Sequence, residues 1–325
     1  MRIPRRRFLN LAAGAVAFPA TFRGALAETY PSRPVRWVVR FAPGGGNDIV
    51  ARLMGQWLQE RLGQPFVIEN RPGGGTNLAT EAVINAAPDG YTLLLAGLPN
   101  ASNATLYSNL KFNFIRDLAP IAGIVRIANV LAVSPSVPAR TVAEFIAHAK
   151  ANSGRINMGS AGVASAGHLA GELFKVMAGV DLIHVPYRGN GPALTALLGS
   201  QVDVLFASIP SAGEFIKSGK LRGLGVTSAT RSVALPEIPT ISETVADYEM
   251  SAWFGAVAPR DTPAEIVDRL NREINAGLAD PKMKARFADL GGTEIAGTPD
   301  DFGRLIGQET EKWARVIRTA NLKAD

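Results

Sequence analysis

Hydrophobic and polar positions along this chain switch between two periods, and glycine marks the switches. Val35 to Phe41 (VRWVVRF) is rich in β-branched and aromatic residues, the pattern of a strand. It runs into Ala42-Pro43-Gly44-Gly45-Gly46, after which Ile49, Leu53, Trp57 and Leu62 recur at helical spacing over Asp48 to Leu62. The unit recurs: Phe66 to Glu69 leads through Arg71-Pro72-Gly73-Gly74-Gly75 into a helix ending at Ala87. Tyr91 to Ala96 leads into a Gly97-Leu98-Pro99-Asn100 loop. Farther on, Arg155 to Gly159 precedes a Ser/Gly loop and a helix from Ala166, and the strand Val202 to Phe206 ends at Ala207-Ser208.

Strands alternating with helices predict an α/β fold whose mostly parallel sheets are flanked by helices. Two helix starts read as capping boxes, Thr141-x-x-Glu144 and Thr262-Pro263-x-Glu265, the second with proline at the first helical position. Pro299 opens a terminal helix whose Phe302, Leu305, Ile306, Trp313 and Ile317 fall on one face. Two long apolar stretches, Leu118 to Val133 and Ser251 to Ala258, read as extended crossings between lobes. On that reading residues 28–130 and 252–325 form one lobe, 131–251 form the other, and a hinge joins them.

Residues 1–27 change the charge argument. Arg5-Arg6-Arg7-Phe8-Leu9, a short apolar run from Leu11 to Ala20 and the terminus Ala25-Leu26-Ala27 make a twin-arginine secretory signal, with cleavage expected after Ala27. The apolar run falls short of the ~20 residues a spanning helix needs. Removing this segment takes five of the 34 basic residues, leaving 29 against 28 acidic ones. The high pI therefore carries no nucleic-acid signal, and no basic run interleaved with aromatics follows it. Absence of cysteine excludes disulfides, thiolate metal sites and a cysteine nucleophile. His148, His168 and His184 lie far apart without acidic neighbours, so no metal and no cofactor are expected.

In open α/β sheets ligands bind beyond the carboxyl ends of strands, where loops expose N–H groups and helix N-termini add partial positive charge. The Ala42 to Asp48 loop and the Ser160 to Ser165 loop (SAGVAS) stand at such points, with Asn47, Ser160, Ser165 and Pro99-Asn100 as polar company. Neither glycine run fits GxxxxGK[ST] or GxGxxG, and GSAGVAS lacks a GxSxG nucleophile elbow. A binding protein is expected, not an enzyme.

At these loops the chain resembles the tripartite tricarboxylate transporter receptor (Bug) family. The resemblance rests on strings that span residues 30 onward in order: YPSRPVRWVVRFAPGGGNDIVAR, VIENRPGGGTNLATEAVINAAPDGYTLLLAG, GSAGVASAGHLAGELF, HVPYRGNGPALTALLGSQVDVLFA, KLRGLGVTSATRSVALPEIPTISE and WFGAVAPRDTP. It implies a two-lobed periplasmic-binding-protein fold of type II. Its implied function is a monomeric periplasmic receptor that passes a small carboxylate, a di- or tricarboxylic or aromatic acid, to the membrane permease subunits of such a transporter. A periplasmic partner of a membrane signalling protein would use the same cleft.

The resemblance puts the ligand between Phe41, Ala42, Gly45, Gly46 and Asn47 of the first lobe and Ser160, Gly162, Ser165, Ala166 and His168 of the second. Pro99, Asn100, Tyr187 and Asp203 complete the implied set. Asp48 reads as the N-cap of the first helix. Arg40 stands where the family usually has proline. Strand alternation aims it away from the cleft; turned inward, it would offer a charge for a second carboxylate or an aromatic acid.

Overall fold

The computed structural model describes residues 30–319 and 322; the signal segment lies outside them. The chain runs β1 (Val35–Val39), α1 (Gly46–Leu62), β2 (Phe66–Asn70), α2 (Asn77–Ile84), β3 (Thr92–Gly97), α3 (Leu98–Leu106) and the single turn α4 (Phe114–Asp117). The long strand β4 (Leu118–Val133) then leads to α5 (Val142–Ala151), β5 (Asn157–Ser160), α6 (Ala166–Ala178), β6 (Ile183–Pro186), α7 (Asn190–Leu198), β7 (Val204–Ser208), α8 (Ile209–Lys217) and β8 (Arg222–Val226). It closes with β9 (Ser251–Pro259), α9 (Ala264–Ala279), α10 (Pro281–Asp289), β10 (Gly292–Glu294) and α11 (Pro299–Thr319).

The strands lie in the order β2-β1-β3-β9-β4-β7-β5-β6, with β8 and β10 also paired to β4. The outer triplets β2-β1-β3 and β6-β5-β7 are parallel, as βαβ crossovers require. The two long strands are antiparallel to each other and make the middle of the sheet mixed. Leu118 to Ala128 of β4 pairs with β9, and Asn129 to Val133 pairs with β7. One strand thus serves both halves and changes partner at Ala128/Asn129.

Helix α11 returns the C-terminus to the first half. Phe302, Ile306, Trp313 and Ile317 are all buried at helical spacing, worth about 1.5–3 kcal/mol each by burial. Glu309 would be costly on that face, but its carboxylate accepts from Trp313 Nε1 (3.1 Å) and lies 3.5 Å from Arg126 Nη1.

Three local expectations are corrected. Gly97-Leu98-Pro99-Asn100 is not a loop: α3 starts there directly from β3, with proline in the first turn, where a missing N–H costs nothing. Thr262 does not cap α9, because its hydroxyl donates to the Pro259 carbonyl (2.7 Å) and the helix begins after Pro263. Thr141 does cap α5 through the Glu144 N–H (3.1 Å), but Glu144 turns its carboxylate to the Arg140 N–H (2.7 Å).

Candidate functional site

Five helices begin around one cleft at the carboxyl ends of the parallel strands. Gly46 and Asn47 open α1, Leu98 and Pro99 open α3, Ala166 and Gly167 open α6, Asn190 to Pro192 open α7, and Ser208 precedes α8; all of these line a space of about 690 Å³ that is open to solvent. Each N-terminus carries roughly half a positive charge and leaves first-turn N–H groups without helical partners. In α1, α3, α7 and α8 no side chain caps those groups. In α6, Ser165 Oγ accepts from the His168 N–H at 3.3 Å. Asn129 of β4 and Ala252, Trp253 and Phe254 of β9 line it as well, beside Phe41. Among the described lining residues there is no aspartate or glutamate, and Arg40 is the one cation.

Arg40 reverses its expected orientation. β1 ends at Val39, so strand alternation stops before Arg40, and Arg40 and Phe41 both face the cleft. The residue as a whole is 1% exposed. Nη1 donates to Gly97 O (3.3 Å) and to Asn100 Oδ1, and Nη2 donates to Asn47 Oδ1 (3.1 Å). Nε has no partner. Burial pushes its pKa down to about 9, which still leaves the group charged at neutral pH.

Asp48 is not the N-cap; that position is Gly45, and Asp48 sits in the first turn of α1. Its Oδ2 accepts from the Gly44 N–H (3.1 Å) and from Arg52 Nε (2.9 Å), which folds the glycine loop back onto the helix. Burial raises its pKa, but hydrogen bonds from Arg52, Gly44 and Asn70 outweigh that and hold it below the ordinary carboxylate value.

Of the residues picked from the sequence, Arg40, Phe41, Ala42, Gly45, Gly46, Asn47, Pro99, Ser165 and Ala166 line the cleft. Asn100, Ser160, Gly162, His168, Tyr187 and Asp203 do not, and each is occupied with internal structure. Asn100 Oδ1 accepts from the Gly97 N–H (3.0 Å) and its amide donates to Thr80 Oγ1 (2.9 Å). Asp203 accepts from the Asn157 N–H (2.7 Å), tying β7 to β5. Ser160 Oγ bridges the Gly162 N–H (3.1 Å) and His184 Nε2 (2.6 Å), and the Tyr187 N–H donates to the Ser160 carbonyl (2.9 Å). Lining residues that were not anticipated include Asn129, Asn190, Ser208 and Trp253. Gly189-Asn190-Gly191-Pro192 and Ser208-Ile209-Pro210 are glycine or serine breaks followed by proline, a helix-start signal that could have identified two of them.

His168 is a buried prop under the Ser160 to Ser165 loop. Its Nδ1 accepts from the Ala164 N–H (3.2 Å), and its ring stacks on His184 with centroids 3.9 Å apart. Glu172 Oε1 lies 3.8 Å from its Nε2, but Lys175 holds that carboxylate at 3.1 Å. Burial, with His184 and Lys175 adding to it, pushes the His168 pKa down to about 3. The unfolded chain takes this proton near pH 6.5 and the folded one resists it, so this stability is complete above about pH 6.5 and is lost on acidification, by about 2 kcal/mol at pH 5. His168→Asn keeps an acceptor for Ala164 but cannot titrate there. Its melting temperature is expected to fall less than that of the parent between about pH 7 and pH 5. Equal falls in the two proteins would refute the assignment.

Residues 50–322 match the model of the tripartite tricarboxylate transporter family receptor. Protein BugT of Bordetella pertussis is 35% identical over 316 residues, covering 96% of this chain and 95% of its own. The R. palustris protein Rpa4515, solved with adipate, superposes with a TM-score of 0.88 at 35% identity, covering 90% of this chain and 99% of its own. MatC from Rhodopseudomonas palustris, solved with bound malate, gives a TM-score of 0.82 at 31% identity, over 89% of this chain and 100% of its own. With its α/β fold and this extent of match, the chain belongs to the tripartite tricarboxylate transporter receptor family of periplasmic solute-binding proteins, which are receptors and not enzymes.

Proposed function

We propose that this protein captures a small carboxylate in the cleft and hands it to the membrane subunits of a tripartite tricarboxylate-type transporter. One observation carries the reading: five helix N-termini, four without side-chain caps, surround a space lined by no acidic side chain among the described residues. Backbone N–H groups at helix ends are a ready anion site, and one cation adds a full charge to them. Adipate and malate in the related structures support the same ligand class.

The proposed lobes are residues 28–130 with 252–325, and 131–251. The partner change in β4 at Ala128/Asn129, beside the return of β9 at Ser251, supports a boundary there. Rotation about these two strands would close α1 and α3 onto α6 and α7 around the ligand. Export by the twin-arginine segment with cleavage after Ala27 completes the reading; a periplasmic form beginning at Glu28 is its check.

Thermal unfolding of the purified protein, stripped of solutes in denaturant and refolded, tests the function against mono-, di-, tri- and aromatic carboxylates. At a hundredfold excess over Kd a true ligand adds ~2.7 kcal/mol, a rise of roughly 4 °C in a chain of this size. No rise with any carboxylate would sink the reading.

A further inference from the structure

Arg40 is a full positive charge surrounded by neutral oxygens. Its three hydrogen-bond acceptors are a backbone carbonyl and two side-chain amides, no acidic group among the described residues pairs with it, and Nε is left over. A buried ion in this situation is costly, and proteins ordinarily place a counter-charge beside it. The seat is built for this side chain: a Cβ on Gly97 would lie 2.6 Å from Arg40 Nη2 and 2.6 Å from the Trp253 carbonyl. With so little exposure, the guanidinium reaches the cleft mainly through Asn47. By donating to Asn47 Oδ1 it fixes that amide, leaving the Asn47 NH₂ group, polarised by the charge behind it, as the donor beside the α1 N-terminus.

We propose that Arg40, acting through Asn47, makes this receptor select dianions: a linear dicarboxylate with one carboxylate at the α6 and α7 N-termini and the other at the Asn47 end of α1. Arg40 is a positioning residue in this scheme, and the second carboxylate is its missing counter-charge. Between the two ends Phe41, Leu98, Trp253 and Phe254 line the cleft with apolar surface, suited to the methylene chain that separates the charges. The inference rests on the carboxylate reading above and narrows it.

The test is calorimetric titration of the protein with linear dicarboxylates from succinate to suberate, each against its own monomethyl ester. At least one diacid is expected to bind roughly thirtyfold or more tightly than its ester. In Arg40→Met that ratio collapses to within about threefold, and Arg40→Lys, which keeps the charge but not the fork to Asn47, restores part of it. A ratio near one in the unaltered protein, which needs no variant to be folded, overturns the proposal while leaving the carboxylate reading intact. So does a ratio kept in Arg40→Met. Failure of every diacid and every ester to bind overturns both.

Discussion

Asn47→Asp is expected to weaken carboxylate binding severely and, at the same time, to make the unliganded protein more stable. The two effects share one cause. Asn47 Oδ1 now accepts from Arg40 Nη2 at 3.1 Å. An aspartate there keeps that contact and turns it into an ion pair with a guanidinium that has only neutral partners. The first turn of α1 also favours a negative side chain. The stability gained is about 1–2 kcal/mol, held down by repulsion from Asp48 next door. For the ligand both changes are adverse: the local positive charge is cancelled, and a carboxylate now faces a carboxylate. At ~4 Å and an effective dielectric constant near 20, that repulsion approaches 4 kcal/mol, so a loss of at least about a hundredfold in affinity is expected. Titration calorimetry and thermal unfolding of the same preparation read both signs. Carboxylate binding at undiminished affinity would remove Asn47 and the α1 end from the site.

How far the sequence alone leads depends on the range of the interaction that decides each feature. Strands, helices and the two crossing segments are written in local periodicity. Accordingly β4 spans the anticipated Leu118 to Val133, and β9 overruns the anticipated stretch by one residue. Cleft residues on the glycine loops, such as Gly46, Asn47 and Ser165, were legible because strand-to-helix turns carry a local signature. Arg40 was not, since its direction depends on where β1 stops pairing, one residue before it. Asn129 and Trp253 reach the cleft only because β4 and β9, which are distant in sequence, pair with each other. Ser160 at the end of β5, His168 in the first turn of α6 and Asp203 just before β7 carry chemistry-bearing side chains, and only the folded structure assigns them to internal hydrogen bonds.

Gly167→Ala is expected to destabilise the protein by about 2–3 kcal/mol and to weaken ligand binding, against the ordinary sign of this change in a helix. Glycine in a helix normally costs up to about 1 kcal/mol relative to alanine, because it loses more backbone freedom on folding. At Gly167 the close approach of β7 decides otherwise. A Cβ there would sit 2.5 Å from the Phe206 carbonyl oxygen, a main-chain atom of a strand paired on both sides, and 3.8 Å from Asn129 Nδ2. Asn129 donates to that same carbonyl at 2.9 Å, so the oxygen cannot swing aside without breaking a buried hydrogen bond. The helix must move instead, and its first turn carries Ser165 and Ala166 at the cleft. Displacing that N-terminus by even part of an ångström misdirects its N–H groups, so affinity falls together with stability. Gly307→Ala supplies the contrast: it lies inside α11, a Cβ there meets nothing within 4 Å, and it is expected to raise stability by about 0.5–1 kcal/mol. Denaturant unfolding of the two variants should therefore move the midpoint in opposite directions. If both move upward, α6 is free to shift on β7, and the cleft is held less rigidly than these contacts imply.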